Sequence, residues 1–476
     1  MRINQFFRGG LSLAIAASIA SCATPSGTRG GAGGPQATGI GYKLRPFEEK
    51  TLENGLRILY IPDESLPYVS YTMLLGSGSA QDPEGQEGIS AFVAEMLDKG
   101  TRKRSAPQIA DELGKLGADF DASASVDYTT VTLSGLANQA DQLLSNLVEV
   151  VTEPAFTDTE IERTRKNILA QLERRMDQPE GFASVAWEEF LYGTHPYANP
   201  TYGRIKTVRE LKKKNLIQHY LRFYRPNNTI LAVVGKFTPE LRKRVETEFG
   251  SWEKREIPAP QFPVVAPIKG LEILVADKPG LTQSQVRLGA LGIKRQNPDF
   301  LAIRVANTIL GGAFASRLND RIRKELGLTY GIHSLFEARE TQGPFEISTF
   351  TKNQSVGQTV TETMKLLRDF KDKGVNREEV ERAKGYLKGV FPTAIETPEK
   401  LAFNLLILRR YGIPDTYLTN YLSDIDALSV GDINRVIKTY IDDRNLKLLV
   451  YSNAQDVLPQ LEPLGKVEVK KASELQ

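Results

Sequence analysis

Apolar and polar residues alternate in LRILYIP from Leu56, VSYTMLLGSGS from Val69 and YTTVTLSGL from Tyr128, the period of half-buried strands. Elsewhere the period lengthens. SAPQIADELGKLG from Ser105 and EIERTRKNILAQLERRM from Glu160 space their apolar residues as helices do. GISAFVAEMLDKGT, Gly88 to Thr101, has the build of a short amphipathic helix closed by a glycine. Strands and helices come in mixed runs without a regular βαβ alternation, which predicts an α+β fold, each unit a mixed or antiparallel sheet with helices packed on one face.

The pattern recurs at long range. FTDTEIERTR from Phe156 can be set against VNREEVERAK from Val375, pairing Glu160 with Glu379 and Arg163 with Arg382 at an offset of 219. LGADF at Leu116 matches LGLTY at Leu326 at offset 210, and Tyr220 before TILAVVG matches Tyr440 before LKLLVYS at offset 220. Three matches in one order with near-equal offsets predict a duplicated domain, since the period is far longer than that of a solenoid. Between the copies, SWEKREIPAPQFPVVAPIKG, Ser251 to Gly270, carries four prolines and suits an extended linker. The expected domains are therefore residues 43–250 and 271–470, joined by 251–270.

Length and composition agree: 476 residues suggest two to four units, and 41% hydrophobic with 25% charged residues belongs to a folded protein. Sixty-one basic against 58 acidic groups leave +3, which offers no footprint for nucleic acid. The N-terminus reads as a targeting signal over residues 1–21, with Arg2 and Arg8 ahead of an apolar run from Leu11 to Ala20 that is too short for a membrane span. It ends in IASC. Small residues before Cys22, the chain's single cysteine, resemble a bacterial lipobox, in which that cysteine is lipidated; the alternative is an ordinary secretory signal cleaved nearby. One cysteine excludes an internal disulfide framework. Ala23 in place of an acidic residue favours the outer membrane, periplasmic face, with residues 22–42, rich in Gly, Ala, Pro, Thr and Ser, as a flexible tether.

Catalytic signals are sparse. The three histidines, His195, His219 and His333, are never three to five residues apart, and no cysteine can help them hold zinc. No nucleophile elbow, phosphate loop or dinucleotide fingerprint occurs. Taken alone, these residues describe an exported two-domain protein with no evident catalytic centre.

Several motifs in order change that picture. LENGLRILYIPDESLPYVSYTMLLGSGSAQDPEGQEGISAF, MLDKGT, HPYANPTYG and LGGAFASRLNDRIRKELGLTYG resemble the insulinase or pitrilysin-type zinc peptidases, the inverzincins, and the likeness runs from Leu44 to Asn453. It implies that Gly88 to Thr101 is the metal helix, where His-x-x-Glu-His binds zinc through two histidines four apart and activates water through the glutamate. Here the histidine positions hold Ala91 and Glu95, the general-base position holds Ala94, and the remote glutamate ligand, 76 residues after Glu95, is Gln171. Alanine has no lone pair, and an amide is a poor zinc ligand beside a carboxylate. Lys99 lies four residues beyond Glu95, so a surface ion pair is the plain role for that acid.

The second half keeps what the first has lost. Active relatives use an arginine and a tyrosine seven positions apart to hold the substrate backbone and the oxyanion, and Arg323 and Tyr330 match that spacing. Leu318, Ile322 and Leu326 form an apolar stripe, Gly327 can end the helix, and Tyr330 begins the next extended run. Arg323 lies off the stripe; by its residues alone it is either a solvated helix charge or a group facing a cavity. Gly311 and Gly312 stand where the non-catalytic subunit of mitochondrial processing peptidase has a longer glycine-rich loop, and two glycines suit a tight turn. His195 falls in a loop element, where a structural hydrogen bond is expected. The resemblance implies a zinc-free subunit, with no cofactor on this chain, zinc on a homologous partner and peptides as substrates. Its rivals are a non-catalytic scaffold, like members that became structural in a respiratory complex, and a metallopeptidase with an unrecognised site.

Overall fold

Two six-stranded mixed sheets divide the chain, one in each half. The computed structural model describes residues 43–475, so the predicted signal, Cys22 and the tether lie outside the described residues. The first sheet contains β1 (Glu48–Thr51), β2 (Arg57–Pro62), β3 (Tyr68–Leu75), β4 (Asp119–Ala124), β5 (Thr129–Leu136) and β6 (Thr229–Gly235), in the order β1-β2-β6-β3-β5-β4. The second contains β7 (Leu271–Asp277), β8 (Gln283–Leu291), β9 (Ile332–Phe336), β10 (Pro344–Lys352), β11 (Leu446–Ser452) and β12 (Val467–Lys471), in the order β12-β7-β11-β8-β10-β9.

Five strands of each sheet correspond one to one, and the matches seen in the sequence fall at equivalent places. Glu160 and Glu379 sit in the first turns of helices Asp158–Asp177 and Arg377–Ile395. Tyr220 and Tyr440 sit in the last turns of helices preceding β6 and β11. Leu116 and Leu326 both cap a helical segment, followed by Gly117 and Gly327 at φ of +59° and +62°, where a Cβ would strain the backbone. The sixth strands are unrelated. β1 pairs antiparallel with β2 from the N-terminal side, whereas β12 pairs parallel with β7 from the C-terminal end.

Each half packs its own helices on one sheet face, as the apolar alternation requires. Ile58, Tyr71, Met73, Val131 and Val233 bury against Phe92, Val93, Leu143 and Leu147 of the first-half helices. The other face is covered by a helix of the opposite half. Helix Pro398–Arg410 lies on β6 and β3, joining Leu59, Ile61 and Val234 to the core of the second half. Helix Pro179–Tyr192 lies reciprocally on β8 and β11, with Phe182 stacked on Tyr451 at 4.2 Å. The two exchanged helices begin 219 residues apart, the offset of the repeat itself. Burying each large apolar side chain is worth roughly 1.5–3 kcal/mol, so the exchange ties the halves into one body.

Polar bonds close the seam. The buried Asp127 carboxylate accepts from the hydroxyls of Tyr197 (2.8 Å) and Tyr411 (2.9 Å) and from the Glu340 N–H (2.8 Å). Arg339 spans the same boundary to Glu188 at 2.5 and 2.9 Å. Stretch 253–269 contains neither helix nor strand, and its Phe262 ring rests 5.7 Å from His195 and 5.8 Å from Tyr197.

Candidate functional site

The helix Ile89–Met96 carries three of the four positions that the resemblance assigns to a zinc site, and helix Asp158–Asp177, packed against it, carries the fourth. Ala91 and Ala94 are 1% and 0% exposed, with no room or donor atom for a ligand. Glu95 is half-buried and Gln171 exposed. Tyr202 faces this region: burial raises its pKa, and the negative charges of Glu95 and Asp121 raise it further. Lys99, the partner expected for Glu95, donates to both carboxylate oxygens of its neighbour Asp98, at 2.6 and 2.8 Å.

What anchors the helix is a buried polar cluster that sequence reasoning missed. Gly88 enters the helix at φ +94°, and a Cβ there would lie 2.5 Å from the Tyr202 carbonyl oxygen, so only glycine fits. With no side chain to cap, the first-turn donors turn to Asp82, six residues upstream. Its carboxyl accepts from the N–H of Gly88 (2.7 Å), the N–H of Ser90 (3.2 Å) and the Ser90 hydroxyl (2.5 Å). His219 Nε2 lies 3.2 Å from the same hydroxyl. Burial pushes the Asp82 pKa up to about 7 and the His219 pKa down to about 3, the latter helped by Arg222. These groups could pass for a Ser-His-Asp set. The hydroxyl, however, sits between the acid and the imidazole, where a catalytic set places the imidazole in the middle, and all three are buried. Fixing the helix start is their role.

In the second half the corresponding region is open. Helix Phe300–Asn307 runs into a widened turn over Thr308–Gly312, and a second widened turn spans Asn319–Glu325. Leu318 and Ile322 are fully buried and Leu326 packs on the core, as the stripe predicted. Arg317 ties the turn down through Glu379 (2.7 and 2.8 Å) and the Gly374 carbonyl (2.8 Å), while Asn319 reaches the Ile332 carbonyl at 2.8 Å. Around Tyr330 the backbone is pinned by Thr329, whose hydroxyl donates to the Gly331 carbonyl (3.0 Å) and accepts from Thr349 (3.1 Å). The Tyr330 ring itself is 85% exposed. β9 begins only at Ile332, two residues later than expected, because these side-chain bonds hold the intervening backbone out of the ladder.

Arg323 lies in the second widened turn, its guanidinium carbon 4.6 Å from the centre of the Phe314 ring. The glycine pair serves close approach and not a tight turn, a correction to the expectation. Neither has a left-handed φ, and a Cβ on Gly311 would lie 2.6 Å from Leu318 Cδ1 and 2.7 Å from the Ser334 N. His195 makes the expected structural bond, its Nδ1 accepting from the Tyr197 N–H at 3.0 Å. His333 meets Ser348 at 2.7 Å on neighbouring strands. The histidines thus sit in three separate places, and the four zinc-site positions offer two buried methyl groups, one carboxylate and one amide. These residues do not fit a zinc ion; among the described residues no three His, Cys, Asp or Glu side chains are grouped to hold a metal.

Comparison with known proteins places the chain among both zinc proteases and inactive relatives of one family. The model of the insulinase family, peptidase family M16, matches residues 57–204, and that of the peptidase M16 inactive domain matches residues 210–387. An uncharacterized zinc protease, YmxG, of Bacillus subtilis (strain 168) is 25% identical over 411 residues, covering 84% of this chain and 97% of its own. The non-peptidase homolog YmxG of Helicobacter pylori (strain ATCC 700392 / 26695) is 24% identical over 405 residues, covering 83% and 91%. The crystal structure of a peptidase M16 inactive domain from Pseudomonas fluorescens shares the fold, with a TM-score of 0.79 and 24% identity over 85% of this chain and 98% of that one.

Proposed function

This chain belongs to the insulinase (M16) peptidase family with its metal positions emptied, and from that premise we propose that it is the zinc-free subunit of a two-chain peptidase. The observation that carries this reading is the contrast at Tyr330: a residue 85% exposed, on a backbone held by Thr329 and Thr349. Paired with a zinc-bearing homologue, this chain encloses a peptide between the two and brings Arg323 and Tyr330 to the partner's site. The metal chemistry belongs to the partner. Tyr330 donates a hydrogen bond to the negative charge developing on the scissile carbonyl oxygen, and Arg323 holds the neighbouring backbone carbonyls. Cys22 carries the lipid that fixes the pair to the periplasmic face of the outer membrane.

The scaffold alternative has a specific relative in its favour, the homologue named non-peptidase in Helicobacter pylori. One experiment separates the two. The chain is purified from membranes with whatever homologue accompanies it, and peptide hydrolysis is assayed for each chain alone and for the mixture. Activity in the mixture alone, reduced on the order of a hundred- to a thousand-fold by Tyr330→Phe with assembly intact, is the expected result. A scaffold gives no activity gained on mixing.

A further inference from the structure

Three cations crowd the widened turn at Asn319–Glu325, and two of them are spent on carboxylates. Arg321 bonds Glu325 (2.9 Å) and Glu362 (2.9 Å), and Lys324 bonds Asp320 at 2.5 Å. Arg323, between them, contacts an aromatic face instead, that of Phe314 at 4.6 Å; Lys324 Nζ stands further from this ring, at 5.6 Å. The difference matters for what the guanidinium can still do. An ion pair commits in-plane N–H donors to a carboxylate, whereas a cation–π contact with a ring that has no acceptor atom leaves the guanidinium donors able to bond a ligand. Phe314 itself is 66% exposed, in a loop pinned on one side by Gly311 against β9 and on the other by Arg317. A large aromatic ring kept this open contributes little to folding, and the surface it leaves uncovered lies beside Arg323.

We propose that Phe314 is a positioning and specificity residue: its ring holds the Arg323 guanidinium with its donors outward and offers its remaining surface to a large apolar side chain of the bound peptide. The ligand class is therefore an extended peptide with an aromatic or long aliphatic side chain, whose adjacent carbonyl Arg323 binds. This inference rests on the two-chain reading above but is measured separately from it.

The test uses the full chain and two fluorescein-labelled nonapeptides of glycine and serine, acetylated and amidated, that differ only in a central Phe or Ala. Fluorescence anisotropy should show the Phe peptide bound about tenfold more tightly, the scale of one apolar side chain leaving water. Phe314→Tyr retains the preference because the ring remains. Phe314→Ala abolishes it, and Phe314→Leu weakens both peptides roughly threefold through the freed Arg323, a loss of the size of an exposed cation–π contact. Unchanged thermal melts show that the exposed position does not act through folding. The proposal is overturned if Phe314→Ala keeps the preference, or if the wild-type chain has none. Loss of preference in Phe314→Ala together with no peptide hydrolysis gained on mixing the two chains would remove the two-chain reading and leave this site standing.

Discussion

The two halves descend from one plan, yet the same corner of each has gone in opposite directions. In the first half the helix Ile89–Met96 is sealed: Ala91 and Ala94 are buried, and the first-turn donors are consumed by Asp82. In the second half the equivalent helix runs into a widened turn, a second one follows, and the connections after them carry the exposed Phe314 and Tyr330. Packing explains the first: small side chains close that helix against its neighbours. Nothing in packing explains the second, since an exposed phenol and an aromatic ring contribute little to stability where they stand. The two corners therefore differ in what holds them: packing accounts for the closed one and leaves the exposure of Phe314 and Tyr330 unaccounted for.

Forcing chemistry back into the sealed corner should produce the largest effect. Ala94→Glu restores the general-base residue type where the family has it, but here it places a carboxylate at a position with no exposure. Loss of about 3–5 kcal/mol of unfolding free energy in urea is expected, the cost of an unpaired buried charge. A variant as stable as the parent would mean that the corner is looser than its packing indicates. Next comes Gly311→Ala in the open corner, whose Cβ meets Leu318 and the Ser334 backbone. Overpacking of this kind costs typically 1–3 kcal/mol, read as a lower Tm. The open side chains thus stand on a tight base, and a neutral outcome would show that the base gives.

Much of this contrast was legible in the sequence, for particular reasons. The duplication was visible because Glu160, Tyr220 and Leu116 occupy element ends, where capping and turn chemistry restrict the choice of residue. The positions that the resemblance assigns to a metal could be located because ligation demands specific atoms at specific spacing, and Ala91, Ala94 and Gln171 supply none that suffices. The exchanged helices Pro179–Tyr192 and Pro398–Arg410 were not readable, since an apolar helix face does not say whose sheet it covers. Asp82 was hidden for a similar reason: it caps a helix from six residues away, outside the Ncap pattern. Phe314 left only a faint signal, an aromatic residue amid the small and polar residues of GGAFASRL. Helical spacing also did not point to Asp98, the sequence neighbour to which Lys99 donates.

The sealed corner should also titrate. His219 has a folded pKa lowered to about 3, so its contribution to stability is present above its unfolded pKa near 6.5 and is lost as pH falls toward 3. Asp82, raised to about 7, runs the other way: its contribution is present below its unfolded pKa near 3.8 and is lost as pH rises through 7. Between about pH 4 and 6.5 the two oppose each other, and wild-type stability conceals both. His219→Gln removes one of them. The stability of the wild type relative to this variant should then fall with decreasing pH by up to about 1.4 kcal/mol per unit below pH 6.5, measured by urea unfolding at several pH values. A difference that does not change with pH would mean that His219 is reached by water.

The smallest expected effect is at Tyr330, where the comparison is sharpest. Removing the hydroxyl of a ring that is 85% exposed takes away no bond within the chain, so Tyr330→Phe should change the unfolding free energy by no more than about 0.5 kcal/mol. The same substitution on a buried tyrosine of the seam, Tyr197→Phe, removes a hydroxyl that donates to Asp127 and accepts from the Thr341 N–H, and should cost about 1–3 kcal/mol. The two variants make the same chemical change at opposite extremes of burial. If Tyr330→Phe proved as costly as Tyr197→Phe, its hydroxyl would be engaged within the chain, and the case for a group held out for a partner would fail on stability data alone. If the cost is confined to Tyr197, the Tyr330 hydroxyl contributes nothing to this fold and is free to bond a group outside the chain.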